Sequence, residues 1–256
     1  MSFDTGPALL AALLGGAGLL VGSFLGLVSV RLPRGEGVVA GRSRCRGCER
    51  PLRPWRLIPL LSYAAARGRC AACGVAIPIR YPLMELAAAA VGLCAAATQP
   101  SAAAALLTAL LGWQLLLLAV VDGEHFWLPD QLTLPLLATG LVAAVTLERL
   151  AVVDSLTGAA AGFAGLWLLA RLYRQVRGRE GLGGGDPFLL AAGGAWTGWV
   201  GLPGVLLWAA LAGLSVVAAR ILAGRRVSGA DRMPFGVFLA LGIWLTWLLG
   251  PPGLGG

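Results

Sequence analysis

Long apolar runs separated by short polar stretches dominate the chain. They predict helices over eight ranges: 8–30, 83–98, 102–121, 131–147, 152–173, 187–200, 203–222 and 235–250. Most of these runs approach the ~20 residues that a helix needs to cross a hydrocarbon layer of ~30 Å. Because one aqueous core could not bury them all, the pattern predicts an all-α polytopic membrane protein with about eight transmembrane helices.

The charged residues indicate an orientation for these helices. The net charge is +8, and all 20 basic residues are arginines. With eight spans, 19 of the 20 arginines fall on one side of the membrane, and only Arg149 falls on the other. Cytoplasmic loops carry an excess of basic residues. The pattern therefore places the arginine-rich side in the cytoplasm and both termini on the opposite side.

The arginine-rich segment after the first apolar run contains two CxxC pairs, Cys45 with Cys48 and Cys70 with Cys73. Such pairs are typical of metal sites, and four thiolates favour a closed, structural Zn²⁺ site. Two disulfides are the alternative, which a reducing cytoplasm disfavours. The fifth cysteine, Cys94, lies in an apolar run and is interpreted as a packed hydrophobic residue.

The predicted organisation has three parts. Residues 1–31 form the first transmembrane helix, residues 32–82 a cytoplasmic zinc-ribbon-like loop, and residues 83–256 a seven-helix core. The loop combines arginines with Trp55, a pattern that could bind nucleic acid. Its arginines serve equally well as topology determinants or as contacts to lipid headgroups, so we expect the lipid bilayer and no nucleic acid as its partner.

Acidic residues at the edges of membrane helices are costly and are candidates for function. Five lie at predicted cytoplasmic helix ends: Glu85, Asp122, Glu124, Asp130 and Asp186. Each also has a structural interpretation. Asp122 could mark a helix end, Asp130 and Asp186 could be N-caps, and Glu85 could pair with Arg80.

Peptide hydrolysis is the chemistry that two such carboxylates would best support. One group must take a proton from water while another donates a proton to the leaving amine, and two carboxylates that share a proton do both. The single histidine, His125, is too little for a histidine-based metal site, and no G-x-S-x-G motif is present. The glycines at 183–185 would allow close approach of a substrate backbone to Asp186.

Several motifs occur in an order that resembles the bacterial prepilin peptidases, or type IV leader peptidases, which are membrane aspartyl proteases of the GxGD type. The motifs are Gly22-Ser23-Phe24-Leu25, Arg31-Leu32-Pro33, Ser43-Arg44-Cys45, Ile58-Pro59-Leu60-Leu61-Ser62, Arg67-Gly68-Arg69-Cys70, Arg80-Tyr81-Pro82, Glu85-Leu86, Asp122, Leu128-Pro129-Asp130, Leu132-Thr133-Leu134-Pro135, Gly183-Gly184-Gly185-Asp186, Gly194-Ala195-Trp196 and Pro234-Phe235-Gly236.

The resemblance implies a bacterial inner-membrane protein whose active site faces the cytoplasm and whose termini are periplasmic. It implies Asp122 and Asp186 as the catalytic pair and gives Asp130 a structural role. The implied substrates are prepilins and type II secretion pseudopilins, cut after a glycine that ends a short basic leader. Many family members then methylate the new N-terminus with S-adenosylmethionine.

Two positions depart from the family pattern. Phe188 stands where the family usually has lysine, and Gly26 stands where it usually has asparagine. An altered residue beside the GxGD aspartate leaves a second hypothesis open, in which a catalytically impaired homologue acts as a pilin-binding scaffold of a secretion or pilus apparatus. The change at Gly26 bears on the methyltransferase activity.

Overall fold

A computed structural model of the chain describes residues 5–38, 43–178, 181–225 and 232–250. Within these ranges the regular secondary structure is helical apart from two isolated β-bridges. The helices are α1 (Thr5–Arg31), α2 (Leu61–Ala65), α3 (Arg80–Thr98), α4 (Ala102–His125), α5 (Asp130–Leu147), α6 (Val152–Arg177), α7 (Asp186–Leu222) and α8 (Phe235–Leu249). The predicted all-α fold is confirmed.

Six of the described helices, α1 and α3 to α7, are long and apolar enough to cross a membrane, and α8 is a shorter apolar helix. The helix bounds lie within a few residues of the predicted runs. Three of the arginines in the charge argument, Arg42, Arg179 and Arg226, lie outside the described residues. The chain divides into two compact units, residues 1–113 and 114–256.

In the first unit, α1 and α3 pack closely at glycines. A Cβ atom on Gly22 would lie 2.6 Å from the Cα of Glu85, and a Cβ on Gly92 would overlap the carbonyl oxygen of Leu14. Contacts move backwards along α1 as they move forwards along α3, so the two helices are antiparallel. Small residues that let two backbones approach are typical of helix contacts in membranes.

In the second unit, α6 and α7 also pack closely at glycines. A Cβ on Gly158 would overlap the carbonyl oxygen of Gly194, and a Cβ on Gly162 would lie 2.6 Å from the carbonyl oxygen of Leu190. The order of these contacts makes α6 antiparallel to the first part of α7. A side chain at either glycine would force the helices apart.

The helix α7 is a helical hairpin. Gly198 has non-helical backbone angles, φ 70° and ψ 173°. Residues before and after it lie beside the same turn of α8, because Gly193 neighbours Ile243 and the carbonyl oxygen of Val205 neighbours Gly242. Chain segments that leave and return to one level of a neighbouring helix must reverse direction between them. The positive φ at the reversal is a conformation that glycine adopts without steric cost.

The hairpin has a first arm, residues 186–197, and a second arm, residues 199–222. They correspond to the two predicted runs 187–200 and 203–222, so the reversal retains the eight helical segments that the sequence predicts. Pro203 lies near the start of the second arm, where a missing N–H costs little. The first arm is only about 18 Å long, which is shorter than the hydrocarbon layer.

The outward faces of the helices are apolar. Val145, Leu168 and Leu214 expose 61–65% of their surface, and similar side chains occur along every long helix. Soluble monomers rarely carry so much contiguous apolar surface. Lipid tails would cover it, which agrees with a multi-pass membrane protein.

We expect Gly158→Ala to lower the free energy of unfolding by about 1–3 kcal/mol, because the added methyl group overlaps backbone atoms of α7. Gly165→Ala on the same helix is the matched control, since no atom lies within 4 Å of its added Cβ and alanine favours helix over glycine. Unfolding of the purified variants in detergent measures the difference. Equal stabilities would contradict the close crossing of α6 and α7.

Candidate active site and metal centre

Two equivalent turns present the four cysteines. The N–H of Cys45 donates to the carbonyl of Arg50, and the N–H of Cys70 donates to the carbonyl of Val75, so both turns have the same length. In each turn, the N–H two residues after the first cysteine donates to its sulfur, at 3.4 Å in one turn and 3.5 Å in the other. The sequence repeat C-x-x-C is therefore also a structural repeat.

Glycine is required in these two turns for different structural reasons, which are backbone conformation in one turn and packing in the other. Gly74 has the left-handed φ of 72° that a tight turn favours, and Glu49 occupies the equivalent position with φ 55°. Gly47 is constrained by packing, because an added Cβ would lie 3.0 Å from Val75 Cγ1 and 3.4 Å from the Cys73 sulfur. The two turns face each other closely at this point.

The four sulfur atoms form one cluster. All lie within 4.8 Å of one another, and the sulfurs of Cys45 and Cys73 are 3.7 Å apart. Zinc held by four sulfurs at 2.3 Å in a tetrahedron has sulfur–sulfur edges of about 3.8 Å. The cluster therefore fits a tetrahedral metal ion, with each cysteine offering one ligand.

The thiols also affect one another's ionisation. The N–H groups of Ala72 and Cys73 and the Cys45 thiol lower the pKa of Cys70 to about 6. The N–H of Val75 lowers the pKa of Cys73, but burial and the neighbouring thiols outweigh it and raise that pKa to about 11. A cation between the sulfurs would offset this repulsion and allow all four to ionise.

Glu85 connects the cysteine-containing insert to α3. Its side chain is buried, and Oε2 accepts the N–H of Leu60 at 2.8 Å. Leu60 has a left-handed φ of 58°. Arg80, the partner considered from the sequence, instead donates to Ser29 Oγ at 2.9 Å. Glu85 thus has a structural role at the base of the insert.

Asp122 lies in the last turn of α4, which continues to His125. Its side chain is 5% exposed. The Oδ2 atom accepts the N–H of Val237 at 3.1 Å. This residue belongs to the first turn of α8, whose first N–H groups have no intrahelical acceptor. Asp122 therefore joins α4 to α8 and does not simply end its own helix.

Asp186 is the first residue of α7, and its side chain is 3% exposed. The N-cap position belongs to Gly185, without a side-chain cap. The Oδ2 atom of Asp186 accepts the N–H of Gly183 at 2.8 Å. The N-cap interpretation of Asp186 is therefore wrong, since the carboxylate holds the glycine loop before the helix.

Leu128 brings the two aspartates to one place. A Cβ on Gly185 would lie 2.5 Å from Leu128 Cβ, and a Cβ on Gly236 would lie 2.8 Å from both Leu128 Cδ1 and Asp122 Oδ2. Gly185 precedes Asp186, so Leu128 packs between the neighbours of both carboxylates. Two glycines supply the space that this convergence needs.

Asp122 lies short of one end of the hairpin. The second arm of α7 runs antiparallel to α8, with Gly213 beside Phe238, and it continues to Leu222. This register places the start of α8, and with it Asp122, about 9 Å short of the end of that arm. The second arm of α7 therefore extends past the level of Asp122.

The other acidic candidates do not join the site. Glu124 and Asp130 are both exposed. The N-cap of α5 is Pro129, so the prediction that Asp130 is that N-cap is wrong by one residue. Burial thus separates Asp122 and Asp186 from their acidic neighbours in sequence.

Phe188 lies two residues after Asp186 on the same helix, which turns it about 200° away from the aspartate. Its ring packs edge-to-face against Phe163 of α6, with centroids 5.0 Å apart. The departure from the family pattern therefore affects the contact with α6. It leaves the hydrogen bond that holds Asp186 unchanged.

The sequence motifs contained Leu128 and Gly236 without indicating what they do. Both act through shape, since Leu128 fills the space between the helices and Gly236 leaves room for the Asp122 carboxylate. The sequence feature that could have indicated the role of Gly236 is its position, since it is a glycine in the first turn of a predicted helix. Glycine is unfavourable inside helices, so its presence there indicates a close approach.

Known proteins match the chain over most of its length. Residues 17–99 match the Bacterial Peptidase A24 N-terminal domain, and residues 102–218 match the Type IV leader peptidase family. A Pseudomonas putida protein named prepilin leader peptidase/N-methyltransferase is 37% identical over 95% of this chain and 92% of its own. Proteins of that name from Pseudomonas aeruginosa and Aeromonas hydrophila are 38% identical over 91% of this chain and 88% of theirs. No solved structure matches.

We expect purified protein to contain about one zinc ion per chain. Cys45→Ser and Cys70→Ser should each lose the metal, because each removes one of the four ligands. Cys94→Ser, on α3, is the control and should keep it. Elemental analysis of protein purified under reducing conditions measures the content, and wild-type protein without metal would refute the site.

Proposed function

Because the chain belongs to the type IV leader peptidase family, we propose that it is a membrane aspartyl endopeptidase that cleaves prepilins or type II secretion pseudopilins. Cleavage follows the glycine at the end of the basic leader, on the cytoplasmic side of the membrane. The observation that carries the proposal is the convergence of two buried carboxylates, Asp122 and Asp186, around Leu128.

The two aspartates act as one acid–base pair. Each carboxylate has its Oδ2 held by a backbone N–H, from Val237 or from Gly183. This fixes the orientation of each group and leaves the second oxygen, Oδ1, for proton transfer. One aspartate takes a proton from the attacking water, and the other donates a proton to the leaving amine. Like charges at close range favour a single shared proton, which supplies both forms at once.

Neither aspartate is assigned as the base. Both carboxylates are buried, and each accepts a backbone N–H. In a shared-proton pair the proton belongs to the pair, so the roles exchange during the reaction.

The proposed location is the bacterial inner membrane, with the active site facing the cytoplasm and both termini in the periplasm. The arginine distribution supports this orientation. The reversal at Gly198 supports it too, because a hairpin in α7 begins and ends on the same side of the membrane. The division into residues 1–31, 32–82 and 83–256 belongs to the same proposal.

The proposed structural cofactor is Zn²⁺, held by Cys45, Cys48, Cys70 and Cys73. The ion would join the two CxxC turns and would thereby stabilise the insert. Its closed set of four ligands leaves no open position for substrate, so we assign it no step in peptide cleavage.

N-methylation of the new N-terminus, with S-adenosylmethionine as donor, is the second activity that we propose. It rests on the names of the relatives, and we assign no residue to the donor. At Gly26, where the family usually has asparagine, the ring of Tyr81 lies 3.3 Å from the position of a Cβ atom. Tyr81 therefore occupies space that a larger residue at position 26 would need.

We expect Asp122→Ala and Asp186→Ala each to reduce prepilin cleavage by about 10²–10⁴-fold, because each removes half of the acid–base pair. Asp130→Asn is the control and should retain activity, since Asp130 is exposed and lies outside the site. Gel-shift and mass analysis of a prepilin in membranes reports cleavage and N-methylation together. Full activity in either alanine variant would refute the pair, and wild-type protein that binds but never shortens prepilin would favour the scaffold hypothesis.

We expect Gly236→Ala to reduce cleavage by about 10- to 100-fold, because the added methyl group displaces the Asp122 carboxylate. Gly123→Ala is the matched control beside the same aspartate, since its nearest new neighbour is Val237 Cγ2 at 3.5 Å, an ordinary contact. Both variants are compared for cleavage rate and thermal stability. Normal cleavage by a folded Gly236→Ala protein would contradict the proposed geometry.

A further inference from the structure

The insert exposes large apolar side chains along one edge, which we define as residues 53–61. Exposed fractions there are 58% for Trp55, 43% for Leu57, 46% for Ile58 and 69% for Leu61. Four such residues lie within seven positions of the insert. On a soluble domain, a surface of this kind marks an interaction site.

The structure fixes the depth of this edge relative to a membrane helix. The N–H of Leu60 is bound by the Glu85 carboxylate at 2.8 Å. Glu85 lies about 7.5 Å along α3 from its first residue, Arg80, and α3 is apolar enough to cross the membrane. The apolar edge is therefore held at the level where α3 enters the bilayer, within reach of the headgroups.

Three arginines accompany the apolar edge. Arg50, Arg53 and Arg56 line one small cavity of about 390 Å³, together with Cys45 and Cys70 of the thiol cluster. Among the described residues no carboxylate forms an ion pair with any of them. The guanidinium of Arg53 lies 5.2 Å from the centre of the Trp55 ring. Positive charge and an aromatic ring thus share one edge of the insert.

These properties fit an anionic lipid surface better than a polymer of nucleotides or a basic peptide. Tryptophan and arginine are enriched where proteins meet headgroups, and basic residues near a membrane attract anionic lipids. A basic leader would be repelled by the three arginines. Nucleic acid would match their charge but would leave Leu57, Ile58 and Leu61 without an apolar partner.

We propose that this edge of the insert is an interfacial membrane anchor. Trp55, Leu57, Ile58 and Leu61 enter the headgroup region, and Arg50, Arg53 and Arg56 bind phosphates of anionic lipids. The anchor holds the insert flat on the membrane at the base of α1 and α3. The proposal depends on the membrane-spanning fold and is independent of the peptidase chemistry.

The test uses the full-length protein in nanodiscs whose lipids carry bromine on the acyl chains close to the headgroup. The Trp55 signal is the difference in emission between wild-type protein and Trp55→Phe, which keeps an apolar ring. We expect strong quenching of this signal, increasing as anionic phosphatidylglycerol replaces phosphatidylcholine. Trp55 emission that these lipids leave unquenched would overturn the anchor.

The role of the arginines is tested with single substitutions. Arg56→Gln should lower the ratio of docked to undocked insert about fivefold, equivalent to about 1 kcal/mol, and so shift quenching to higher phosphatidylglycerol content. Arg67→Gln removes the same charge from an exposed position of the insert outside the cavity and should cause no shift.

Zinc content is measured in the same variants, because a zinc ion with four thiolates carries a net negative charge that arginines would also stabilise. Unchanged zinc with shifted quenching in Arg56→Gln supports the lipid contact. Lost zinc with unshifted quenching overturns it and assigns the arginine to the thiolates. Quenching of Trp55 emission that does not change with phosphatidylglycerol content in any variant likewise overturns the phosphate contacts.

Discussion

Hydrogen bonds from backbone N–H groups make it possible to bury carboxylates in this fold. Glu85, Asp122 and Asp186 are the buried acidic residues of the described chain. Each accepts an N–H from a loop or from the start of a helix, at 2.8–3.1 Å. A carboxylate without such a partner would be too costly to bury. The neighbouring acids Glu124 and Asp130 remain exposed. Whether a carboxylate is buried in this fold therefore depends on whether a backbone N–H is placed to donate to it.

The arrangement of the helices places these backbone N–H groups beside the buried carboxylates. For Val237 to reach Asp122, α8 must start beside the last turn of α4, which the absence of a side chain at Gly236 permits. Asp186 must lie at the start of a short helical arm, which ends when the chain reverses at Gly198. The longer second arm then extends past the site.

Much of this fold could be predicted from the sequence, because membrane helices are set by the length of apolar runs. The predicted gap between 200 and 203 even indicated the reversal that occurs at Gly198. The partners of the carboxylates could not be predicted in this way. Val237 and Asp122 are separated by 115 positions, and their contact depends on how three helices pack. The motifs did indicate both aspartates, but Leu128 and Gly236 act through shape, which periodicity and residue type do not record.

The residue beside the GxGD aspartate shows why sequence neighbours need not share a role. Asp186 and Phe188 point about 200° apart on one helix, so their side chains lie on different faces of it. Phe188 packs edge-to-face against Phe163 instead. Replacing the family's usual lysine by phenylalanine exchanges a charge for an aromatic contact at the interface with α6. The hydrogen bond between Gly183 and Asp186 does not involve that side chain. The substitution therefore gives no structural reason to expect an impaired carboxylate pair. The position of Phe188 thus weakens the case for a non-catalytic scaffold.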